Sequence, residues 1–165
     1  MFRLSSALKT KGAKAEDDFR AWLNRSGVGY LYIEQSPLTV PEGLRGRIKR
    51  PDYLVGIPHA GLLAFDVKAK TAYDGELLFD VEEIEKLALF ARAFHLTVYF
   101  ACLDAEGDGR QWWVPLAELH NRAPVWRGKR PVIPFAIAEA FVITPEDDFL
   151  RVVLGLSAEA LKKQI

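Results

Sequence analysis

The chain has 165 residues, half of them hydrophobic, and Lys plus Arg (22) equals Asp plus Glu (22), so one domain with a substantial core is expected and no global positive field can bring it to nucleic acid. The single cysteine, Cys102, excludes an intramolecular disulfide and fits a buried thiol in a reducing compartment, so a cytoplasmic location is expected. No stretch approaches the ~18 uninterrupted apolar residues of a membrane helix, and the N-terminus, with Lys9, Lys11 and Lys14 around small residues, lacks the apolar core of a signal peptide, so no membrane partner is expected.

In chain order, Lys11 to Ser26 reads as a helix, with Ala15, Phe19, Trp22 and Leu23 on one face and Gly27 as its stop. Glu16 lies at the edge of that apolar face, close to Phe19 and Leu23, while Asp17 and Asp18 turn away. It reads either as an inward carboxylate or as a first-turn acid favoured by the helix dipole. Tyr30 to Glu34 alternates as a strand. Gln35 to Arg50, with two prolines and two glycines, is a long loop or loose ribbon, in which Arg45, Arg47 and Lys49 share one side of an extended chain. With Arg50 they form either a phosphate-binding rim or a solvated basic loop.

Pro51 to Lys70, PDYLVGIPHAGLLAFDVKAK, holds the densest chemistry. Tyr53 to Ile57 is a buried strand, Leu62 to Phe65 leads a second, and Pro58-His59-Ala60-Gly61 is the turn. Period-two alternation puts Asp66, Lys68 and Lys70 on one face and Val67 and Ala69 on the other. Asp52 joins that face if the loop holds three or five residues. A four-residue loop pairs Asp52 with Val67 and points the acids apart, unless a bulge restores the alignment.

Asp74, Glu76, Asp80, Glu82, Glu83 and Glu85 then make an acidic rim. Asp80-Val81-Glu82-Glu83 has the form of a capping box opening a helix with the stripe Ile84, Leu87, Ala88, Ala91 and Phe94, so its acids have local explanations, Glu82 with Lys86 included. Thr97 to Leu103 and Arg110 to Val114 read as hairpin strands around a turn from Asp104 to Gly109. Trp112 and Trp113 must point to opposite faces, one to the core and the other available for base stacking or a subunit contact. Pro115 to His120 suggests a short helix, Val132 to Ile143 one or two strands, Thr144 to Asp147 a helix start, and Ser157 the cap of a final helix ending near Lys163. His59, His95 and His120 have no metal-ligand spacing and read as structural or surface residues.

Pro51-Asp52 and Asp66-Val67-Lys68, within the order helix, strand, hairpin, helix, strand, strand, resemble the PD-(D/E)xK nuclease superfamily. Lys11-Gly12-Ala13-Lys14-Ala15-Glu16 resembles in particular the Lys-Gly and Ala-Glu pattern of archaeal-type Holliday-junction resolvases. The resemblance covers roughly residues 11–115. It departs from the resolvases in the longer spacing from Glu16 to Asp52, in Asp66 where glutamate is commoner, and in the chain beyond Pro115. It implies a restriction-endonuclease-like α/β (α+β) fold, a central mixed sheet of four to five strands flanked by helices, with a C-terminal α/β extension over about 116–165 of a single nuclease-like domain.

The resemblance further implies a metal-dependent DNA endonuclease, with selectivity for branched DNA as the finer expectation. Asp52 and Asp66 would bind Mg²⁺ (or Mn²⁺) with the Val67 carbonyl, Glu16 would be a further acid, and Lys68 would sit beside the attacking water, able to take its proton if metal and desolvation lower its pKa. Arg45, Arg47, Lys49, Arg50, Lys70 and Lys11 are the candidate DNA contacts, and a homodimer is the assembly by which such a fold cuts two strands. The alternative is a non-catalytic nucleic-acid-binding or assembly subunit, in which Asp66 with Lys68, or Asp52 with Arg50, is a structural ion pair.

Overall fold

The computed structural model describes residues 6–104 and 107–162. Helix α1 (Ser6–Ser26) starts earlier than its apolar stripe, but the stripe does the packing: Ala15, Phe19, Trp22 and Leu23 are all buried. Gly27, at φ 68°, ends it by donating its amide to the Asn24 carbonyl. Strand β1 (Tyr30–Tyr32) is two residues shorter than expected. The segment 35–50 is no loose ribbon. It holds two single 3-10 turns, Pro37–Thr39 and Glu42–Leu44, and Arg50 clamps it by donating to Thr39 Oγ1 at 2.7 Å and to the Ser36 carbonyl at 2.8 Å.

Strands β2 (Tyr53–Ile57) and β3 (Gly61–Lys70) pair antiparallel from Tyr53↔Phe65 to Ile57↔Gly61. The loop is therefore Pro58-His59-Ala60, one residue shorter than the turn read from sequence, with Gly61 already in the strand. His59 at φ 62° and Gly61 at φ 139° take the backbone angles this tight reversal demands. Tyr53↔Phe65 is the last paired rung; just before it, Asp52 reaches β3 through its amide on the Phe65 carbonyl and its carboxylate on the Val67 amide, and so lies beside Asp66.

A strand unmarked by the sequence, β4 (Glu76–Asp80), leads straight into helix α2 (Val81–Phe94), whose C-cap His95 is left-handed at φ 51°. Strands β5 (Thr97–Asp104) and β6 (Gln111–Pro115) follow, then helix α3 (Leu116–His120), strands β7 (Val125–Arg127), β8 (Arg130–Ala136) and β9 (Phe141–Ile143), and helix α4 (Phe149–Lys162). Ser157 does not cap a separate helix; it lies inside α4 and its hydroxyl donates to the Val153 carbonyl at 3.1 Å. The helix end expected near Lys163 lies outside the described residues.

The sheets are larger than the four to five strands expected. Six strands run in the order β1-β2-β3-β5-β6-β9, with β3 and β5 parallel and the other neighbours antiparallel; β4, β8 and β7 make a second sheet of three. The segment beyond Pro115 is woven into both.

Period-two alternation gives the six-stranded sheet two apolar faces. Ala64, Phe100, Cys102, Trp112 and Val114 pack with α2, α3 and the second sheet; Tyr53, Phe65, Val67, Ala101 and Trp113 pack with α1 and α4. Adjacent Trp112 and Trp113 thus anchor opposite cores, 7% and 0% exposed, and neither is free to stack on a base or meet a subunit. Phe65 centres the second core, its ring 4.7 Å from Trp113 and 5.4 Å from Phe19; truncating such a ring costs about 3–5 kcal/mol. Among the described residues no helix is long and apolar enough to cross a membrane.

Candidate active site

Where the chain enters β2, the Asp52 carbonyl accepts from the Ile33 amide at 2.8 Å, and Gln35 donates to the Pro51 carbonyl at 3.1 Å, fixing the approach to the hairpin. The Asp52 amide donates to the Phe65 carbonyl, and its carboxylate, not its backbone, meets the next rung: Oδ2 accepts from the Val67 amide at 2.7 Å. The side chain is thereby locked against β3, only 9% exposed.

Asp66, mid-strand and fully buried, faces two ammonium groups. Lys49 Nζ lies 2.7 Å from Oδ1 and Lys68 Nζ 2.9 Å from Oδ2. Both contacts are ionic approaches, and neither oxygen receives a well-directed hydrogen bond. The same two lysines meet again at Glu83 Oε1, each at 2.5 Å. Asp66, Lys49, Glu83 and Lys68 form a closed ring of charge, with three carboxylates, counting Asp52, against two ammonium groups.

The electrostatics follow from burial and this imbalance. Burial, then the charge of Asp66, pushes the Asp52 carboxyl up to about 7, against the pull of the Val67 amide and Lys49; the Glu16 charge adds to the rise. Burial alone would also raise Glu83, but Lys68 and Lys49 outweigh it and hold the carboxyl near 2. Lys68 is opposed by burial, yet Asp66 and Glu83 raise it above the ordinary lysine range. In the metal-free ring these two carboxylates hold Lys68 as an ammonium.

Glu16, half-buried on α1, accepts from the Tyr32 hydroxyl at 3.3 Å, and its backbone carbonyl accepts from Tyr53 at 3.2 Å. Of the candidate DNA contacts named from sequence, only Lys49 enters the cluster. It does not lie in line with Arg45 and Arg47, which are exposed and bond their own loop at the Val40 and Gly43 carbonyls, while Arg50 is spent on its clamp. Lys70 does not reach outward: it donates to the Leu78 carbonyl, sits 4.8 Å from the centre of the Phe79 ring, and burial lowers its pKa. Lys11 is exposed on α1, beside Ala69 and Leu103.

Glu83 escaped the sequence reading because Asp80 and Glu83 fit a capping box. Only half of that box forms: Asp80 Oδ1 accepts from the Glu83 amide at 3.2 Å, while the Glu83 side chain turns to the lysines. A signal was present, since Glu83 precedes the buried Leu87 by four residues and borders the α2 stripe as Glu16 borders that of α1.

Among the described residues no three His, Cys, Asp or Glu side chains converge into a cage. A hard cation that keeps its waters needs only one or two carboxylates. Two buried carboxylates that repel each other, one with both oxygens lacking a directed hydrogen bond, fit such an ion.

The Holliday junction resolvase Hjc of the hyperthermophilic archaeon Archaeoglobus fulgidus matches the structure with a TM-score of 0.54 and 21% identity, over 81% of this chain and 92% of that one. The fold is restriction-endonuclease-like. A bacterial homing endonuclease, I-Ssp6803I, aligns with a TM-score of 0.49 and 14% identity over 95% of this chain and 97% of its own. No protein-family model and no curated protein matches the sequence. Within the restriction-endonuclease-like sheet, β2 and β3 bring Asp52, Asp66 and Lys68 together, and α2 delivers Glu83.

Proposed function

We propose that the protein is a divalent-metal-dependent DNA endonuclease of the PD-(D/E)xK type. The observation that carries this is the buried, mutually repelling pair Asp52 and Asp66, brought together where β2 begins against β3, with Lys68 ion-paired to Asp66. Asp52 and Asp66, with the Val67 carbonyl, would hold Mg²⁺ or Mn²⁺, and Glu16 is the further acid. The ion would supply a nucleophilic hydroxide and neutralise charge on the scissile phosphate.

The remaining work falls to the chain's own groups. Lys68, kept protonated by Asp66 and Glu83, acts as a fixed cation that orients the attacking water and faces the developing charge on the phosphate oxygens. Glu83 touches neither water nor phosphate in this reading; it positions Lys68 and Lys49. Lys49 is the cation that balances Asp66 before a metal enters.

One observation favours a second reading. Lys49 and Lys68 each pair with both Asp66 and Glu83, a mutual neutralisation that would also serve a non-catalytic nucleic-acid-binding subunit of this fold. Cleavage of a panel of plasmid, linear duplex, single strand, flap and four-way junction with Mg²⁺ or Mn²⁺ separates the two. The nuclease cuts at least one substrate, and Asp66→Ala and Lys68→Ala both abolish cutting. Cutting by neither wild type nor variants, or equally by all three, discards the catalytic reading.

A further inference from the structure

The four tryptophans divide into two kinds. Trp22, Trp112 and Trp113 are buried, whereas Trp126 is 71% exposed. It stands on β7, exposed at every residue, in a hairpin with β8 whose turn Gly128 takes at φ 62°. The register is Trp126↔Pro131 and Arg127↔Arg130.

The sequence around it is one-sided. Between Glu118 and Glu139 the chain has no acid, but it carries Arg122, Arg127, Lys129 and Arg130, although the protein as a whole is neutral. Arg122 is structural, paired with Glu139 and lying 4.2 Å from the centre of the Phe135 ring. Arg127 has a long, exposed contact with Glu76 at 3.9 Å, and Lys129 is exposed at the turn. An exposed indole among cations, with only Val125 as an apolar neighbour on its strand, suits a base and its flanking phosphates better than the apolar core of a protein interface.

Its position matters as much as its composition. Val132 of β8 pairs with Asp80 on one side and Val125 on the other, so the strand bearing Trp126 lies two strand spacings, about 10 Å, from Asp80. Asp80 caps the helix whose first turn sends Glu83 to Lys68.

We propose that the β7–β8 hairpin grips DNA beside the candidate cleavage site: the Trp126 indole stacks on an unpaired base while Arg127 and Lys129 take the phosphates on either side of it. The proposal rests on the nuclease reading and deepens it, because a closed duplex offers no free base face. The DNA it fits has an unstacked base at a flap, gap, branch or end.

The test uses the full chain in EDTA, so that binding is read without cleavage, with labelled flap DNA and a closed duplex of equal length. Trp126→Ala is expected to weaken flap binding about tenfold and closed-duplex binding little. Arg127→Ala with Lys129→Ala is expected to weaken both and to lower the salt slope by about 1–2. In wild type, flap DNA should shield fluorescence from iodide, since Trp126 is the one tryptophan iodide reaches. Trp126→Ala that binds flap like wild type, with iodide quenching unchanged by DNA, overturns the hairpin while leaving the nuclease reading intact. A variant that loses only self-association, seen by light scattering, overturns it in favour of a subunit contact. Wild type that binds neither DNA overturns the hairpin grip, while the nuclease reading stands or falls on the cleavage panel.

Discussion

Lys68 and Glu83 are 15 residues apart in sequence, yet Lys68 Nζ lies 2.5 Å from Glu83 Oε1, joining the second strand of the hairpin to the first turn of α2. The contact ties the geometry of the candidate site to the packing of a helix that carries no residue of the sequence motif.

Glu83→Gln should therefore damage activity without touching a motif residue. It removes the charge that two partly buried ammonium groups share, so a stability loss of about 1–3 kcal/mol is expected in denaturant titrations, between the values for exposed and buried pairs. Cleavage should fall at least tenfold, through kcat more than KM, because Lys68 loses its fixed position rather than the substrate its binding contacts. Glu83→Asp, which keeps the charge, should recover part of both; full activity in Glu83→Gln would remove the positioning role.

Metal-free stability should depend on pH in a way Asp52 dictates. In the fold its carboxyl keeps a proton to about 7, whereas its ordinary value is 3.8. Between those values the folded state binds more protons than the unfolded one, so this contribution is full below about pH 4 and is lost as pH rises through 7. Glu83 works oppositely: held near 2, it contributes stability above its ordinary 4.5 that disappears as the medium acidifies. In EDTA the unfolding temperature of wild type should fall from pH 5 to 8.5, and Asp52→Asn should abolish most of that fall, by about 2–4 kcal/mol at the alkaline end. Mg²⁺ should restore wild type at pH 8 and leave Asp52→Asn unmoved.

Cys102 should be silent to thiol reagents. It is fully buried between strands, and burial pushes its thiol up to about 12 despite the opposing pull of Lys70 and Lys68. At pH 8 the native protein should show no thiol by colorimetric titration and one equivalent after denaturation. Rapid modification of the native state would contradict the packing of β5 against β3.

The hairpin was legible because its information is local. Period-two alternation and a short turn set Asp66 and Lys68 on one face, and only the loop length, settled at Pro58-His59-Ala60, was left to decide whether Asp52 came beside Asp66. Helix α1 and its inward stripe were legible for the same reason, since 3.6-residue periodicity needs no knowledge of the partner it packs on.

What no local pattern could carry was the meeting of distant segments. Lys49 reads as one more cation of a basic loop until the fold of 35–50 turns it onto Asp66, and Glu83 reads as a cap until β3 brings Lys68 beneath it. The two tryptophans show the same limit: alternation puts Trp112 and Trp113 on opposite faces, but whether a face is solvent or core depends on the helices and second sheet that cover it, and here both are covered. β4 gave little warning because its apolar residues become strand-like in pairing with β8, more than fifty positions later. Local periodicity chooses a conformation and a face; long-range pairing decides what that face meets, and so which charges must be neutralised together.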